Sequence, residues 1–514
     1  MKRLVFILIS ILTAFLFFSF LSKTDSTRDK QVYVFYDKNI PEASIIVKDI
    51  TSKIKDAGYK VETGYFEPSE INNYIISNPD ALFVSNMPLQ SNLFFLKKYD
   101  YLMVKVAVTK RNSPLNMITM GEFNELLISR DISDEETIKK IEKKRMKYGI
   151  ISFQNLTLNL KPLRVKGLFP TLENIKNGEY EKTYRANIYL KDNRILKDNP
   201  ELLYEFGSWM EKSFSVIAGG DVMLTRGTEK YIKSSGAEYP FLKIREEIER
   251  HDIAFANLES PISGGGRKFA PYKGIYFKAD PDVIEGLKFS GIDVFSLANN
   301  HALDWGIYAI IDTMKLLRNN GIQYTGVGKT RDEALKPAVI NIEDTSVAFI
   351  SFNDIFPFSI TESGSKFQTL TLKGGNLKKE IESLKKKYDI VIASVHTGIE
   401  YVLAPENKKI LKMRKLIDYG VDIVLGSHPH VVQGIEVYED GLIAYSLGNL
   451  IFDQDWSRET TLGLLLEISF LEGKPLYYYP HVITIEKAQA KITENNDDSE
   501  YILSYLNFEE DSNE

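Results

Sequence analysis

Of the six histidines in the chain, at 251, 301, 396, 428, 430 and 481, four share one setting: each closely follows a short apolar run. Carboxylates and amides occupy the same setting. Asp221 ends SFSVIAGGD, Asn257 and Glu259 end DIAFANLE, and Asn299, Asn300 and His301 follow VFSLA. His396 ends DIVIASVH, while His428 and His430 follow VDIVLGS. Apolar runs of this length read as strands, and α/β sheets carry their ligands at the carboxyl ends of strands. Asn300 and His301 put an amide oxygen beside an imidazole that can carry a proton. His428 and His430 lie two apart around Pro429, which disfavours helix, so extended backbone would direct both rings to one side. Five strand ends thus offer nitrogen and oxygen donors without sulfur, a set suited to Mn, Fe or Zn, and a bridging carboxylate would hold two ions about 3.5–4 Å apart. The expected ligands are Asp221, Glu259, Asn300, His396, His428 and His430, for one or two ions, against the alternative of a pocket that binds without metal. His251, beside a helix end, and His481, in the aromatic run PLYYYPHVI, read as structural.

The elements that must position these residues need a large core. With 514 residues, 44% hydrophobic and 26% charged, the chain has the composition of a globular protein and the length of two units. Lys+Arg 64 against Asp+Glu 70 gives a net charge of −6, which provides no global positive field for nucleic acid. Having no cysteine, it forms no disulfide, thiolate nucleophile or sulfur-ligated zinc site. Leu4–Leu21 carries no charged residue, and its rise of about 27 Å nearly matches a bilayer core. It is longer than a signal-peptide apolar region and lacks a small-x-small cleavage site, so an uncleaved anchor is expected. Lys2 and Arg3 favour a cytoplasmic amino terminus, although Lys23, Arg28 and Lys30 oppose them. The expected location is the cell membrane, single-pass, with the catalytic domain extracytoplasmic.

After this anchor and tether (1–31), strand and helix patterns alternate through QVYVFY, a helix over 42–57, a strand over 59–65, ALFVS and YLMVKVAVT, which predicts a parallel sheet. Thr171 and Gly178 bracket LENIK as a short capped helix. The run GLFPTLENIKNGEYEKTYR, with ITMGEFNELL before it, resembles phosphate-type periplasmic solute-binding proteins. That resemblance implies a smaller solute-binding-like α/β domain over 32–205, either a docking scaffold or a small-ligand site.

The motifs GDVMLTRG, NLESPI, ANNHALDWG, YTGVGKTRDEALKPAVI, HTGIEY and VDIVLGSHPHVVQGIEVYEDGLIAYSLGNLIFDQ, in that order, resemble the CapA/PgsA capsule and poly-γ-glutamate biosynthesis family over 213–485. That family is similar to calcineurin-like metallophosphoesterases, which implies an α/β/β/α sandwich followed here by an acidic tail (486–514). By position, Asp221 takes the place of the first aspartate, Glu259 of the bridging carboxylate, and Asn300 and His301 of the Asn-His pair. His396, His428 and His430 match the later histidines. Two departures, Met223 where the phosphoesterase D-x-H motif has histidine and Glu259 where it has aspartate, leave single-metal chemistry open. The expected reaction is metal-dependent hydrolysis of phosphoester type. A bound ion would acidify a water, His301 would protonate the leaving group, and Arg226 would pair with an anionic oxygen. Glu400, Tyr401, Asn449 and Asp453, with Ser446 and Gln454, are expected to line the pocket. The partners implied are the membrane, an anionic polymer or phosphoester substrate, and subunits of a capsule synthesis complex. A non-catalytic polymer-handling or export subunit is the alternative, and a sensor built on the solute-binding-like domain is a third reading. No G-x-x-x-x-G-K-[ST] loop is present to drive ligation with nucleotide, which points to an accessory role.

Overall fold

The computed structural model describes residues 31–508 apart from 38–39, 41–42, 79, 87, 90–95, 112, 114, 116, 129–132, 192–193, 270–272, 363 and 507. The expected span Leu4–Leu21 lies outside the described residues. Among the described residues, no helix is long and apolar enough to cross a membrane. The chain divides into two compact units, residues up to 105 with 181–211, and 106–180 with 212–514. The segment 106–180, expected within one domain spanning 32–205, therefore clusters with the later residues.

In the first unit, Gln31–Asp37 pairs in parallel with Lys60–Phe66 and with Leu82–Ser85. Helix Ala43–Asp56 buries Ile46, Val47, Ile50 and Ile54, an apolar stripe at helical spacing. The expected all-parallel arrangement stops there. Thr183–Leu190 pairs antiparallel with Leu82–Ser85 and with residues 97–104 of the long strand Lys97–Lys110. Local alternation of strand and helix predicts parallel neighbours, and it cannot register a strand returning from far along the chain.

The second unit is built on two sheets. In one, Ser213–Val222, Ile253–Leu258, Val294–Ser296 and Gln323–Thr325 run parallel, and Leu462–Leu471 continues the sheet antiparallel to Ser213–Val222. In the other, Thr345–Asn353, Ile390–His396, Ile423–Ser427 and Gly441–Ala444 run parallel. Alternate residues of each strand face opposite ways. Phe214, Val216, Ala218, Ile390 and Ile392 meet Leu464, Leu466 and Ile468 between the sheets. Ile217, Ala254 and Phe295 instead pack on helix residues Ile232, Leu287, Ile310 and Leu317. On the far side, Val391, Ala393 and Val395 cover Ile410, Met413 and Leu416 of helix Asn407–Asp418. The layers are helix, sheet, sheet, helix, the sandwich that the later motifs imply.

Segment 106–180 joins this unit through aromatic contacts. Phe153 packs edge-on against Tyr477, Phe169 lies 4.2 Å from the Tyr479 ring, and the amide of Leu172 donates to the Tyr477 hydroxyl at 3.1 Å. The expected tail is also part of the fold as far as Tyr505. Gln489–Ile492 pairs with Lys474–Glu486, and helix Asn496–Tyr505 buries Ile502 in the inter-sheet core.

One close approach sets the edge of the site. A Cβ on Gly220 would lie 1.9 Å from the carbonyl oxygen of Gly448, the point where Asn449–Ile451 joins the sheet beside Asp221. Gly220→Ala must push that strand away and is expected to cost about 1–3 kcal/mol, as overpacking does. Chemical denaturation checks this, and an unchanged midpoint and slope would show the contact to be yielding.

Candidate functional site

Register brings the expected residues to one edge of the sandwich. Asp221 lies opposite Asn257 and Asn449, while His396 lies opposite Asn353 and Ser427. Glu259, Asn300, His301, His428 and His430 arrive on the loops that follow the strands. The extended backbone expected for His428 and His430 is not found, since both adopt left-handed conformations with φ of +95° and +59°. Such conformations cost of order 1–3 kcal/mol each and persist only where surroundings impose them. Here the His428 amide donates to Asp221 Oδ2 at 3.1 Å, and the two rings lie 6.1 Å apart.

Six expected ligands and His301 form one buried cluster. His430 Nδ1 is 3.3 Å from Asp221 Oδ2, and Asn300 Oδ1 is 2.9 Å from His396 Nε2. Glu259 Oε1 lies 3.6 Å from His396 Nε2 and 3.9 Å from Nε2 of both His301 and His430. Glu259 is fully buried, yet neither carboxylate oxygen has a hydrogen-bond partner, and His428 Nδ1 is also unpartnered. Leaving a buried polar atom unpaired costs free energy, and an ion coordinated by these orphaned atoms would offset that cost. One ligand atom from each of Glu259, His428 and His430 lies within 4.8 Å of the other two. The donor set, carboxylate, imidazole and amide oxygen without sulfur, fits Mn, Fe or Zn.

The electrostatics agree with that fit. Burial, then the neighbouring Asp221, raises Glu259 well above the usual carboxylate range. Burial opposes a charge on His430, but Glu259 and Asp221 outweigh it and push the imidazole up to about 9. His396 and His428 are driven well down, first by burial and then by neighbouring imidazoles. A divalent cation would compensate both carboxylates, taking the place of the proton on His430 while His396 and His428 are already neutral.

Residues outside the expected set hold the cluster in place. Asn257 donates to Asp221 Oδ1 at 2.7 Å, accepts from Asn299 at 3.1 Å, and Asn299 Oδ1 accepts the His301 amide at 3.1 Å. His301 Nδ1 lies 2.7 Å from Asp304 Oδ2, and its ring stacks on Phe277 at 3.9 Å. Lys273 Nζ donates to Asp304 Oδ1 and to the Asn300 carbonyl, both at 2.6 Å. Burial, reinforced by Lys273 and His430 against the pull of Asp304, holds His301 down at about 4. The imidazole is therefore neutral near pH 7; its Nδ1 lies between Asp304 Oδ2 and Lys273 Nζ, the latter at 3.1 Å, and its Nε2 faces Glu259. Behind the site, Lys409 Nζ donates to the Thr397 carbonyl and to Gln433 Oε1, both at 2.9 Å, and burial holds it down to about 7. The spacing His301-x-x-Asp304 was visible in the chain; Lys273 and Lys409 carry no spacing signal.

The expected substrate residues divide by role. Asn449 Oδ1 touches His430 Nδ1 at 3.0 Å, and its amide nitrogen donates to Gln454, which in turn donates to the Tyr401 hydroxyl at 3.2 Å. Tyr401 is at the exposed rim, with Glu400 beside it. Asp453 is turned inward on the protein, accepting the Gly227 amide at 2.7 Å and pairing with Arg226 Nη2 at 3.2 Å. Arg226 lies over the Phe277 ring at 5.5 Å and keeps part of its guanidinium in solvent. Ser446 is buried and accepts the Gly448 amide, a contact within its own turn.

A carboxylate that serves an ion and not the fold has a distinct signature in stability. In chelator, Glu259→Gln is expected to leave stability unchanged or raise it by up to about 2 kcal/mol, because a buried unpaired acid is removed. The same change removes the gain in Tm on adding Mn²⁺ or Zn²⁺. A large destabilisation in chelator would instead make Glu259 a structural ion-pair partner.

Comparison with known proteins finds similarity over the part of the chain that carries this edge of the sandwich. The model of the family described as Bacterial capsule synthesis protein PGA_cap matches residues 215–454. Capsule biosynthesis protein CapA of Bacillus anthracis is 31% identical over 252 residues, 48% of this chain and 61% of that protein. PGA biosynthesis protein CapA of Bacillus subtilis (strain 168) is 30% identical over 254 residues, 48% of this chain and 65% of that protein. The chain thus spans a little under two thirds of the length of these relatives. Among solved structures, an ABC-type phosphate transport receptor from Vibrio cholerae matches at 12% identity and a TM-score of 0.20, covering 34% of this chain and 98% of that one, too weak a likeness to assign a fold. The four-layered sandwich with its site at the strand ends is consistent with a metallophosphoesterase-like superfamily. The matched span holds every residue of the buried cluster, so it is the part of the chain carrying the cluster that is similar to the CapA capsule synthesis proteins.

Proposed function

We propose that the chain acts in capsule or poly-γ-glutamate biosynthesis as a metal-dependent hydrolase of phosphoester type. The names of its relatives support the biological setting, and one observation carries the chemistry: a buried Glu259 carboxylate without a hydrogen-bond partner, ringed by His301, His396 and His430. Asp221, Glu259, Asn300, His396, His428 and His430, or a subset of them, would hold a divalent Mn, Fe or Zn ion. Such an ion supplies Lewis-acid polarisation of a phosphoryl oxygen and a more acidic water.

The residues of the chain do the rest. Arg226, held by Asp453 and partly open to solvent, pairs with an anionic oxygen of the substrate. His301 is the proton carrier. An anionic phosphoester beside Nε2 raises the proton affinity of the imidazole, so that His301 takes up a proton from solvent as substrate binds and passes that proton from Nε2 to the leaving oxygen. Asp304 fixes the tautomer and ring orientation through Nδ1, and Lys273 fixes Asp304. Tyr401 and Glu400 at the rim meet the parts of the substrate remote from the reacting bond. The apolar stretch Leu4–Leu21 would anchor the chain in the cell membrane with the site on the extracytoplasmic side.

Turnover of chromogenic phosphomonoesters and phosphodiesters by the full chain tests this reading. Hydrolysis should require Mn, Fe or Zn, and Asp304→Asn should lower kcat by about 10²–10⁴-fold with the metal still bound. Metal-loaded protein that turns over neither ester class would contradict phosphoester hydrolysis and favour the polymer-handling role.

A further inference from the structure

The two histidines read as structural from sequence, His251 and His481, meet away from the cluster described above. His251 follows helix Arg245–Glu249, and His481 sits on strand Lys474–Glu486 beside Glu467 of the neighbouring strand. Their hydrogen bonds engage one nitrogen of each ring and leave the other facing a carboxylate. His251 Nδ1 is 3.0 Å from the Glu247 carbonyl oxygen, an acceptor only, so that nitrogen carries a proton, while Nε2 faces Glu467 Oε2 at 3.6 Å. His481 Nε2 is 3.1 Å from Glu467 Oε2, which places its proton there and leaves Nδ1 3.5 Å from Glu247 Oε1. Each of these second nitrogens therefore points at a carboxylate oxygen across a gap that a positive charge, on an ion or a proton, would fill. The other oxygen, Glu247 Oε2, is taken by Arg250 at 3.1 Å, so Oε1 is the free donor.

We propose that Glu247, His251 and His481 form a second metal site, for an ion of the Zn²⁺ class, with Glu467 as the outer carboxylate that orients His481. One ligand atom from each of the three lies within 4.8 Å of the other two. Two imidazoles and a carboxylate are a zinc donor set, and a carboxylate behind a ligating imidazole is the usual supporting arrangement. A cavity of about 270 Å³ adjoins the site and leaves room for a water as fourth ligand. Glu173, Glu247 and Glu467 outnumber Arg164 and Arg250 in its wall, which favours a cation. The ion ties the end of helix Arg245–Glu249 to the strand whose Tyr479 packs on Phe169. The site stands independently of the phosphoester reading.

The test counts zinc by elemental mass spectrometry in the full chain carrying Glu259→Gln and His428→Ala, which disable the first cluster. One equivalent of Zn²⁺ is expected, lost on adding either His251→Gln or His481→Gln, while Glu467→Gln weakens binding by about 10–100-fold. In the unsubstituted chain the same two histidine changes should remove one equivalent and leave the remainder. Two results overturn the site: no zinc retained by the first-cluster variant, or an equivalent that persists through both histidine substitutions. In either case His251, Glu467 and His481 form a protonated ion-pair network only.

Discussion

Two carboxylates, Asp221 and Glu259, are buried side by side, and Glu259 has no hydrogen bond to offset its desolvation. Much of the surrounding architecture answers that one constraint. Charge repulsion and burial both oppose ionisation of Glu259, and the protein surrounds it with imidazoles instead of a lysine or arginine at contact distance. A fixed cation would satisfy the acid permanently and close the site. His301, His396 and His428, held neutral by burial, and His430, whose proton an ion would displace, leave the site open to an ion from solution. The arrangement sacrifices stability for a binding capacity, as functional sites commonly do.

The sandwich makes this arrangement possible by bringing the carboxyl ends of both sheets to one edge. Asp221 and Asn257 come from one sheet, His396 and Ser427 from the other, each pair in register on adjacent strands. Because Gly220 has no side chain, the Gly448 turn can close against Asp221. The amide relay from Asp221 through Asn257 and Asn299 to the His301 backbone then couples the proposed ligands to the proposed proton carrier. Hydrogen-bonded support of this kind sets ligand orientation in metal sites and is as much part of them as the ligands.

Much of this was legible in the chain because strand-end chemistry has a strong local signature. An apolar run ending in Asp, Asn-His or His points to both the strand and its end, so the residues that cluster at this edge, the six proposed ligands and His301, stand out in the chain without coordinates. What escaped is non-local. Lys273 lies on an irregular loop and reaches Asp304 only through the fold, and Lys409 looks like an ordinary charged residue of an amphipathic helix until burial is known. Spacing alone suggested extended backbone for His428-Pro429-His430, whereas the Asp221 contact holds His428 in a left-handed conformation. The antiparallel return of Thr183–Leu190 and the attachment of 106–180 through Tyr477 and Tyr479 depend on partners far away in sequence. His251 and His481 were unremarkable singly, and became a site only when folding brought Glu247 and Glu467 to them.

The central claim is that the buried acids and imidazoles exist to hold an ion. Elemental mass spectrometry of the purified full chain after incubation with Mn, Fe or Zn, compared with Asp221→Ala and His428→Ala, tests it most directly. Metal in the wild-type chain that falls by at least one equivalent in both variants is the result the account predicts. Equal metal content in all three proteins, or none in any after loading, would contradict it.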